Sequence, residues 1–249
     1  MELRMENIAV TRSRKTILRI DNLSLAASGM VALIGPNGAG KSTMLKVLGG
    51  LESADSGTLH FRGRNLGQLS GGERAAMTGY IPQHFQPCWN QKVAELLNLA
   101  IERSGQADCT LATLAADFEL ADLLNRPWDS LSGGERGRVA LSMALAGDPP
   151  LLLADEPGAA MDIGHNLNML EHFRERSRRS LVMVCLHDLN LAFKYFDWII
   201  FINRGEPAFS GLPDELLRGC LLEQSFGVDF FKIKTEAGWL VQPRSLQLS

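Results

Sequence analysis

The chain has 249 residues, 45% of them hydrophobic, which is enough to bury one substantial core or two small ones. A formal net charge of −3 gives no sign of a surface for nucleic acid or for an anionic membrane. The four scattered cysteines form neither a CxxC pair nor a His/Cys cluster, so we expect free thiols and no disulfide frame or zinc site. The first residues lack the apolar core of a signal peptide, and no apolar run approaches the roughly 20 residues that span a bilayer. We therefore expect a soluble, cytosolic chain.

The first part of the chain predicts β-structure, then a buried strand, a loop and a helix. Partly alternating apolar residues predict strands at Asn7–Val10 and Ile17–Leu25. The unbroken apolar run Met30–Ile34 is typical of a strand that is buried on both faces. Helical spacing follows over Ser42–Leu48, and another strand is predicted at Thr58–Phe61.

The rest of the chain alternates helices with short apolar strands. A helical pattern runs from Lys92 to about Leu124 in two amphipathic stretches. The elements predicted after it are a helix at Glu135–Leu145, a strand at Leu151–Ala154, a polar helix at His165–Ser177, and strands at Leu181–Leu186 and Trp198–Ile202. Buried strands that alternate with helices indicate a parallel α/β core. The helical block at 92–147 is predicted to be an insertion into that core.

A phosphate-binding loop is predicted where the Met30–Ile34 strand ends. Gly35-Pro36-Asn37-Gly38-Ala39-Gly40-Lys41-Ser42 fits the pattern GxxxxGK[ST]. The glycines let backbone N–H groups approach phosphate oxygens, and the following helix adds its positive N-terminal end. Lys41 is suited to the β- and γ-phosphates, and the Ser42 hydroxyl to Mg²⁺. The alternative is a glycine-rich turn before an ordinary helix with an exposed lysine.

Two adjacent acids, Asp155 and Glu156, end a buried apolar strand. An unpaired charge would be costly there, and a Mg²⁺ partner for Asp155 removes that cost. Glu156 points in another direction and is suited to accept the proton of an attacking water. The alternative is that both acids are solvated at the start of a loop.

The peptide Leu-Ser-Gly-Gly-Glu occurs twice, at Leu69–Glu73 and at Leu131–Glu135. Both copies fit a capped helix start. Only the second precedes a long helix that leads into the acidic strand, so we interpret the second copy as functional and the first as a coincidence on a surface helix. A Ser-Gly-Gly helix start is a second anion site. One phosphate loop and one separate anion site predict a shared nucleotide, held by the loop of one subunit and by Ser132-Gly133-Gly134 of its partner.

The order of these motifs resembles the ATP-binding cassette (ABC) transporter ATPases over essentially the whole chain. The resemblance implies that Gln83 is the Q-loop glutamine, which senses the γ-phosphate and Mg²⁺ and faces the membrane subunit. It implies that Asp162 belongs to the D-loop, which touches the partner ATPase, and that His187 is the switch histidine at the γ-phosphate. Taken alone, His187 is an ordinary histidine at a strand end.

Motifs and resemblance together assign three sets of site residues. The set for catalysis is Glu156, His187, Gln83 and Lys41. The set for the metal is Ser42, Gln83 and Asp155. The set for the nucleotide is Gly35, Pro36, Asn37, Gly38, Ala39, Gly40, Lys41, Ser42, Thr43, Arg12, Ser132, Gly133, Gly134 and Asp162.

The implied fold is α/β: a P-loop NTPase (RecA-like) core with an N-terminal antiparallel β subdomain and an inserted helical subdomain. We expect a single domain, in which 1–90 and 148–212 form the β subdomain and the core. Residues 91–147 are expected to form the helical subdomain with the signature motif, and 213–249 a C-terminal extension.

The chain departs from the family pattern in three places. No aromatic residue for adenine stacking stands in the turn Arg12-Ser13-Arg14, and the Arg12 guanidinium is the candidate substitute. The D-loop segment Gly158–Asp162 reads Gly-Ala-Ala-Met-Asp and lacks the small hydroxyl residues common there. Gly137 replaces the usual glutamine after the signature, and we expect it to loosen the start of that helix.

The tail from Pro213 to Val241 resembles that of importers for vitamin B12, iron-siderophores and haem. The resemblance implies ATP and Mg²⁺, a second copy of the chain, permease subunits, and indirectly a substrate-binding protein. It also implies a peripheral place on the cytoplasmic side of the inner membrane of a prokaryote, with no nucleic-acid partner. Phe85, Pro87 and Trp89 are either contacts to the membrane subunits or core residues. An exporter ATPase and a soluble assembly ATPase are the alternative functions.

Overall fold

A computed structural model of the chain describes residues 2–158, 161–236 and 238–244. Two residues of the predicted D-loop, Ala159 and Ala160, lie outside the described residues. The described strands are β1 Glu2–Arg12, β2 Lys15–Ala26, β3 Gly29–Ile34, β4 Ser56–Phe61, β5 Arg64–Asn65, β6 Thr78–Ile81, β7 Leu151–Asp155, β8 Leu181–Cys185, β9 Trp198–Asn203, β10 Glu206–Gly211, β11 Phe230–Thr235 and β12 Gly238–Pro243. The described helices are α1 Lys41–Gly49, α2 Gly71–Met77, α3 Val93–Ser104, α4 Leu111–Asp117, α5 Gly133–Leu145, α6 Ile163–Ser177, α7 Leu189–Tyr195, α8 Pro213–Arg218 and α9 Leu221–Phe226.

The N-terminal strands form an antiparallel sheet in the order β2-β1-β4-β5. Buried residues alternate with exposed ones along β1 and β2, as expected for a sheet with one face on a core. The turn between β1 and β2 places Ser13 and Arg14 at φ of +49° and +67°, a pair of left-handed residues that suits a two-residue hairpin. The prediction of an antiparallel β subdomain is confirmed.

A six-stranded sheet in the order β10-β9-β3-β8-β7-β6 forms the centre of the molecule. Its strands are parallel except for β10, which pairs antiparallel with β9. Alternate residues of β3 belong to different cores: Ala32 packs in the core on the helical side, and Leu33 in the core shared with α1 and the antiparallel sheet. The uninterrupted apolar runs follow from this burial on both faces. The predicted parallel α/β core is confirmed.

The helical block between β6 and β7 is less regular than the sequence pattern predicts. The stretch from Lys92 to Leu124 is divided into α3 and α4, with an αL glycine, Gly105, at the end of α3. Instead of continuing to Leu124, α4 ends at Asp117, and a short 3₁₀ turn follows at Ala121–Leu123. The apolar pattern correctly predicted that α3 and α4 each bury one face, but it does not indicate where the helices end.

The last part of the chain packs back on the core through α7, α8 and α9. Phe226 packs edge-to-face on Phe201 of β9, and the backbone N–H of Val241 donates to Asn190 of α7. Among the described residues, no helix combines the length and the apolar character needed to cross a bilayer.

Trp128 gives a test of the packing that supports the helical block. Its side chain is 1% exposed and lies edge-to-face with Phe85, with ring centroids 5.0 Å apart. We expect Trp128→Ala to lower the free energy of unfolding by about 3–5 kcal/mol, because it leaves a large cavity. Trp89 is 76% exposed, so Trp89→Ala is the matched control and should change stability by less than about 0.5 kcal/mol. Denaturant unfolding of both variants measures the difference, and equal losses would contradict this packing.

Candidate active site

The loop between β3 and α1 has the geometry that the glycine pattern predicts. Gly35, Gly38 and Gly40 have φ of +145°, +73° and +105°. A Cβ on Gly35 would lie 2.0 Å from the carbonyl oxygen of Ile202, so only glycine allows the loop to pass this closely over β9. The loop therefore curls at the carboxyl end of the central strand and leads directly into the N-terminus of α1.

Lys41, Ser42 and Asp155 are brought together at the base of this loop. Lys41 is 5% exposed, and its Nζ donates to the carbonyl oxygens of Gly35 and Pro36 at 2.9 and 3.0 Å. Ser42 Oγ donates to Asp155 Oδ1 at 3.1 Å, and Asp155 is 3% exposed. The alternatives of an exposed lysine and of a solvated Asp155 are therefore wrong.

Glu156 connects the two remaining residues of the predicted catalytic set. Its Oε2 accepts a hydrogen bond from Gln83 Nε2 at 2.7 Å, and its Oε1 lies 2.5 Å from His187 Nε2. Gln83 follows β6, Glu156 follows β7 and His187 follows β8, so the three side chains meet at one end of the parallel sheet. Glu156 has φ of +50°, which is uncommon for a residue other than glycine and marks a functional candidate.

The side chains near the loop fit Mg²⁺. The oxygens of Ser42 and Asp155 are hard ligands of the kind that Mg²⁺ prefers, and they already lie within hydrogen-bonding distance of each other. Asp155, Glu156 and Cys185 also offer three ligand atoms within 4.8 Å of one another. Burial raises the pKa of the Cys185 thiol, and a soft thiolate ligand does not suit Mg²⁺. The donor set is therefore that of an oxygen-ligated ion, and the thiol is a buried neighbour.

Both Leu-Ser-Gly-Gly-Glu copies begin a helix with the same cap. In each copy the serine Oγ accepts the backbone N–H of the glutamate, and the glutamate accepts the serine N–H. Backbone N–H donation from Ser132 holds the pKa of Glu135 below its usual value. α2 has no buried residue, which confirms it as a surface helix, whereas α5 is packed in the core along one side. Ser132 and Gly133 are exposed at the start of α5.

Asp162 is the N-cap of α6. Its Oδ1 accepts the backbone N–H of His165 at 2.9 Å, and its Oδ2 lies 2.7 Å from His165 Nδ1. Both contacts hold the pKa of Asp162 below its usual value, and the hydrogen bond from the backbone N–H of His165 is the larger cause. Asp162 was predicted from the sequence but His165 was not, although its position three residues after an acidic helix cap was an available signal.

The last predicted nucleotide contact, Arg12, has a partner within the chain. Its guanidinium forms an ion pair with Glu52, which lies just after α1, and also donates to the carbonyl oxygen of Thr11. Arg12 is therefore held against the segment that follows α1, and its stacking role is still a prediction. α5 is helical from Gly133 to Leu145 with Gly137 inside it, and the expected loosening of its start stays a prediction.

Comparison with known proteins agrees with this geometry. The family model described as ABC transporter matches residues 18–159, more than half of the chain. The hemin import ATP-binding protein HmuV of Rhodococcus jostii is 34% identical over an alignment of 251 positions, which covers 97% of this chain and 86% of the relative. HmuV of Pseudomonas aeruginosa is 36% identical over 238 residues, which cover 91% and 93%. A solved ATP-binding subunit of an ABC transporter superposes with a TM-score of 0.79 at 25% identity, covering 91% of this chain and 98% of that one.

The fold and the site define an ATP-hydrolysing P-loop domain. The chain belongs to the ABC transporter family, as an ATP-binding subunit.

Proposed function

We propose that this chain hydrolyses ATP with Glu156 as the general base. The observation that carries this proposal is the pair of contacts from Glu156 to Gln83 and His187, beside the hydrogen bond from Ser42 to the buried Asp155. Glu156 takes the proton from the attacking water, and Gln83 and His187 orient the carboxylate and the γ-phosphate. Lys41 and the loop N–H groups hold the β- and γ-phosphates. Ser42, Asp155 and Gln83 would hold Mg²⁺, which would neutralise charge on the phosphates.

We infer that two copies share each nucleotide head to tail. Ser132 and Gly133 are exposed, so the start of α5 is accessible to a partner. An exposed helix N-terminus is an anion site, and a second copy of the phosphate loop brings the matching triphosphate. ATP therefore joins the two protomers, and hydrolysis releases them.

The transport direction proposed is import of hemin or a similar metal chelate. The support is the likeness over almost the full chain to hemin import ATP-binding proteins, together with a C-terminal extension that contains α8, α9, β11 and β12 and contacts α7. The ATPase then lies peripherally on the cytoplasmic side of the inner membrane, beneath permease subunits that receive cargo from a binding protein. The expected division into core (1–90 and 148–212), helical subdomain (91–147) and extension (213–249) is part of the same proposal.

The permease contact is assigned to the segment after Gln83. Phe85 is half-buried and packs on Trp128, and Trp128 Nε1 donates to Gln86 Oε1 at 3.3 Å, so this segment is joined to the helical block. Trp89 is exposed, which leaves it free for a partner, while Phe85 is a packing residue. Movement of the helical block on ATP binding is passed through this segment to the permease.

The experiment is purification of the tagged chain from detergent-solubilised membranes of its own host. We expect a permease to co-purify with the wild type, and hemin uptake by vesicles that contain the complex to require ATP. Trp89→Ala should reduce recovery of the permease severalfold while leaving the ATPase rate of the isolated chain unchanged. Full recovery with Trp89→Ala would place the permease contact elsewhere. Export of cargo from the vesicles would indicate an exporter, and a preparation without integral membrane protein would indicate a soluble assembly ATPase.

A further inference from the structure

A cavity of about 480 Å³ lies between α5, α6 and the end of α4, apart from the phosphate loop. Its volume is within the range of about 300–1,000 Å³ that small-molecule sites occupy. Apolar and charged groups share its wall, and two of the five histidines of the chain line it. The wall includes Phe118, Gly134, His165, His172, Arg174 and Arg178.

His165 is arranged as a metal-binding histidine. Its Nδ1 lies 2.7 Å from Asp162 Oδ2, and the partly exposed imidazole lines the cavity. With Nδ1 bonded to a carboxylate, the neutral ring carries its proton on Nδ1 and its lone pair on Nε2. Histidines that bind metals usually donate their other ring N–H to a carboxylate in this way. His165 therefore offers one nitrogen ligand at the wall of the cavity.

A single nitrogen ligand suits iron that arrives in its own chelate. Within the described part of the chain, the acid and cysteine side chains that converge closely enough to hold a bare ion are Asp155, Glu156 and Cys185, and none of them lines this cavity. His172 follows His165 by seven residues on α6, about 10.5 Å along the helix axis, so the two rings do not share an ion. Iron in a porphyrin needs only an axial ligand from the protein.

The rest of the wall suits a flat apolar ligand with carboxylates at its edge. Phe118 and His172 form an aromatic pair with ring centroids 5.3 Å apart. Arg174 and Arg178 are one helical turn apart on α6 and are both exposed, so they match two neighbouring carboxylates. Arg174 Nη1 also contacts Asp197 Oδ1 at 2.9 Å, which holds this guanidinium in place.

Acids on the same wall limit what charge alone can bind. Glu171 and Glu175 line the cavity beside the two arginines. A simple anion is therefore repelled as well as attracted, and gains little affinity there. Binding depends instead on the bond from iron to the His165 nitrogen and on apolar contact. The cavity should therefore distinguish an iron porphyrin from the same porphyrin without iron.

We propose that this cavity is a regulatory site for an iron porphyrin, bound through Nε2 of His165. The regulation rests on the proposed import of hemin and on the shared nucleotide. A Cβ on Gly134 would lie 3.1 Å from the His165 ring, and Gly134 is two residues from Ser132 at the start of α5. A porphyrin on His165 occupies the space through which the partner copy approaches Ser132. Imported cargo therefore lowers ATP-dependent dimerisation and hydrolysis as it accumulates.

Binding is measured by titrating the purified chain with hemin and recording the Soret band. We expect one hemin per wild-type chain, with the spectrum of nitrogen-ligated iron. His165→Ala should bind about 10-fold more weakly or worse and lose that spectrum, and added imidazole should restore it. Asp162→Asn should weaken binding about 10-fold, because it removes the carboxylate behind the ligand. His60→Ala is the matched control, since it removes an imidazole from β4, outside the cavity.

Regulation is measured by light scattering with ATP, using protein that carries Glu156→Gln, with and without hemin. Hemin should reduce the fraction of dimer severalfold when His165 is present and leave it unchanged in the His165→Ala background. Each protein is compared with itself, because loss of the contact to Asp162 can change dimerisation on its own. Protoporphyrin IX without iron should have no effect on either protein.

Four outcomes would overturn the inference in whole or in part. A wild-type mixture with the spectrum of free hemin rejects the site, whether or not the variants fold. Equal binding by wild type and His165→Ala rejects the ligand. Bound hemin that leaves the dimer unchanged rejects the regulation. A wild type that never dimerises with ATP rejects the shared nucleotide, and the regulation with it.

Failure of the proposed cargo is seen separately from failure of this site. Vesicles that import a different chelate, while the purified chain still shows nitrogen-ligated hemin, would reject hemin as cargo, and the feedback by cargo with it, but support the site. Hemin uptake by vesicles, with no spectral change in the purified chain, would support the import function and reject the site.

Discussion

Glu156→Gln should stop turnover while ATP binding and the ATP-bound dimer remain. The amide keeps the size of the side chain and retains hydrogen-bonding groups for Gln83 and His187, but it does not accept the proton of the attacking water. Loss of a general base costs about 10²–10⁴-fold in rate. The Ser42 and Asp155 contacts are separate from this change, so nucleotide affinity should stay within a few-fold of wild type. Single-turnover hydrolysis and size-exclusion chromatography with ATP measure the two effects.

Glu102→Gln is the control for Glu156→Gln, because it makes the same chemical change at an exposed position on α3. It should leave the rate and the dimer unchanged. A Glu156→Gln enzyme that hydrolyses ATP at the wild-type rate would remove Glu156 from the role of base. A variant that loses ATP binding would show that the carboxylate, at its left-handed backbone position, mainly supports the loop.

The sequence allowed the core of this fold to be predicted because its signals are local. The run Met30–Ile34 predicts a strand buried on both faces, and the glycine spacing after it predicts the loop. The structure confirms both, with the two faces of β3 in different cores. Gln83 and His187 were assigned to the site from the family resemblance alone, and their contacts with Glu156 were not predicted from the sequence.

Contacts between distant segments were beyond prediction from one sequence. Gly137 was expected to weaken α5, because helix propensity considers only the helix itself. In the structure the space beside Gly137 is occupied by the end of the Met161 side chain. The glycine after the signature and the unusual segment Gly158–Asp162 therefore pack against each other. The break after Asp117 was missed for a similar reason: apolar periodicity continues across a turn whose residues still face the core.

Ser132→Arg should abolish ATP-dependent dimerisation and reduce hydrolysis at least about 10²-fold, whereas Ser70→Arg should do neither. Both serines cap a helix with the same two hydrogen bonds, so each substitution loses a cap worth about 1 kcal/mol. Any excess effect at Ser132 therefore comes from what its helix start meets in the partner. An arginine there fills the space in which a triphosphate approaches the N-terminus of α5. Light scattering with ATP, using protein that carries Glu156→Gln to prevent turnover, measures dimerisation directly, and ATPase rates are measured without that change.

If the two arginine variants lose activity to the same extent, the second copy has no special function and the shared-nucleotide arrangement is wrong. If both stay active and dimeric, the start of α5 does not contact the nucleotide and is no more than a capped helix end.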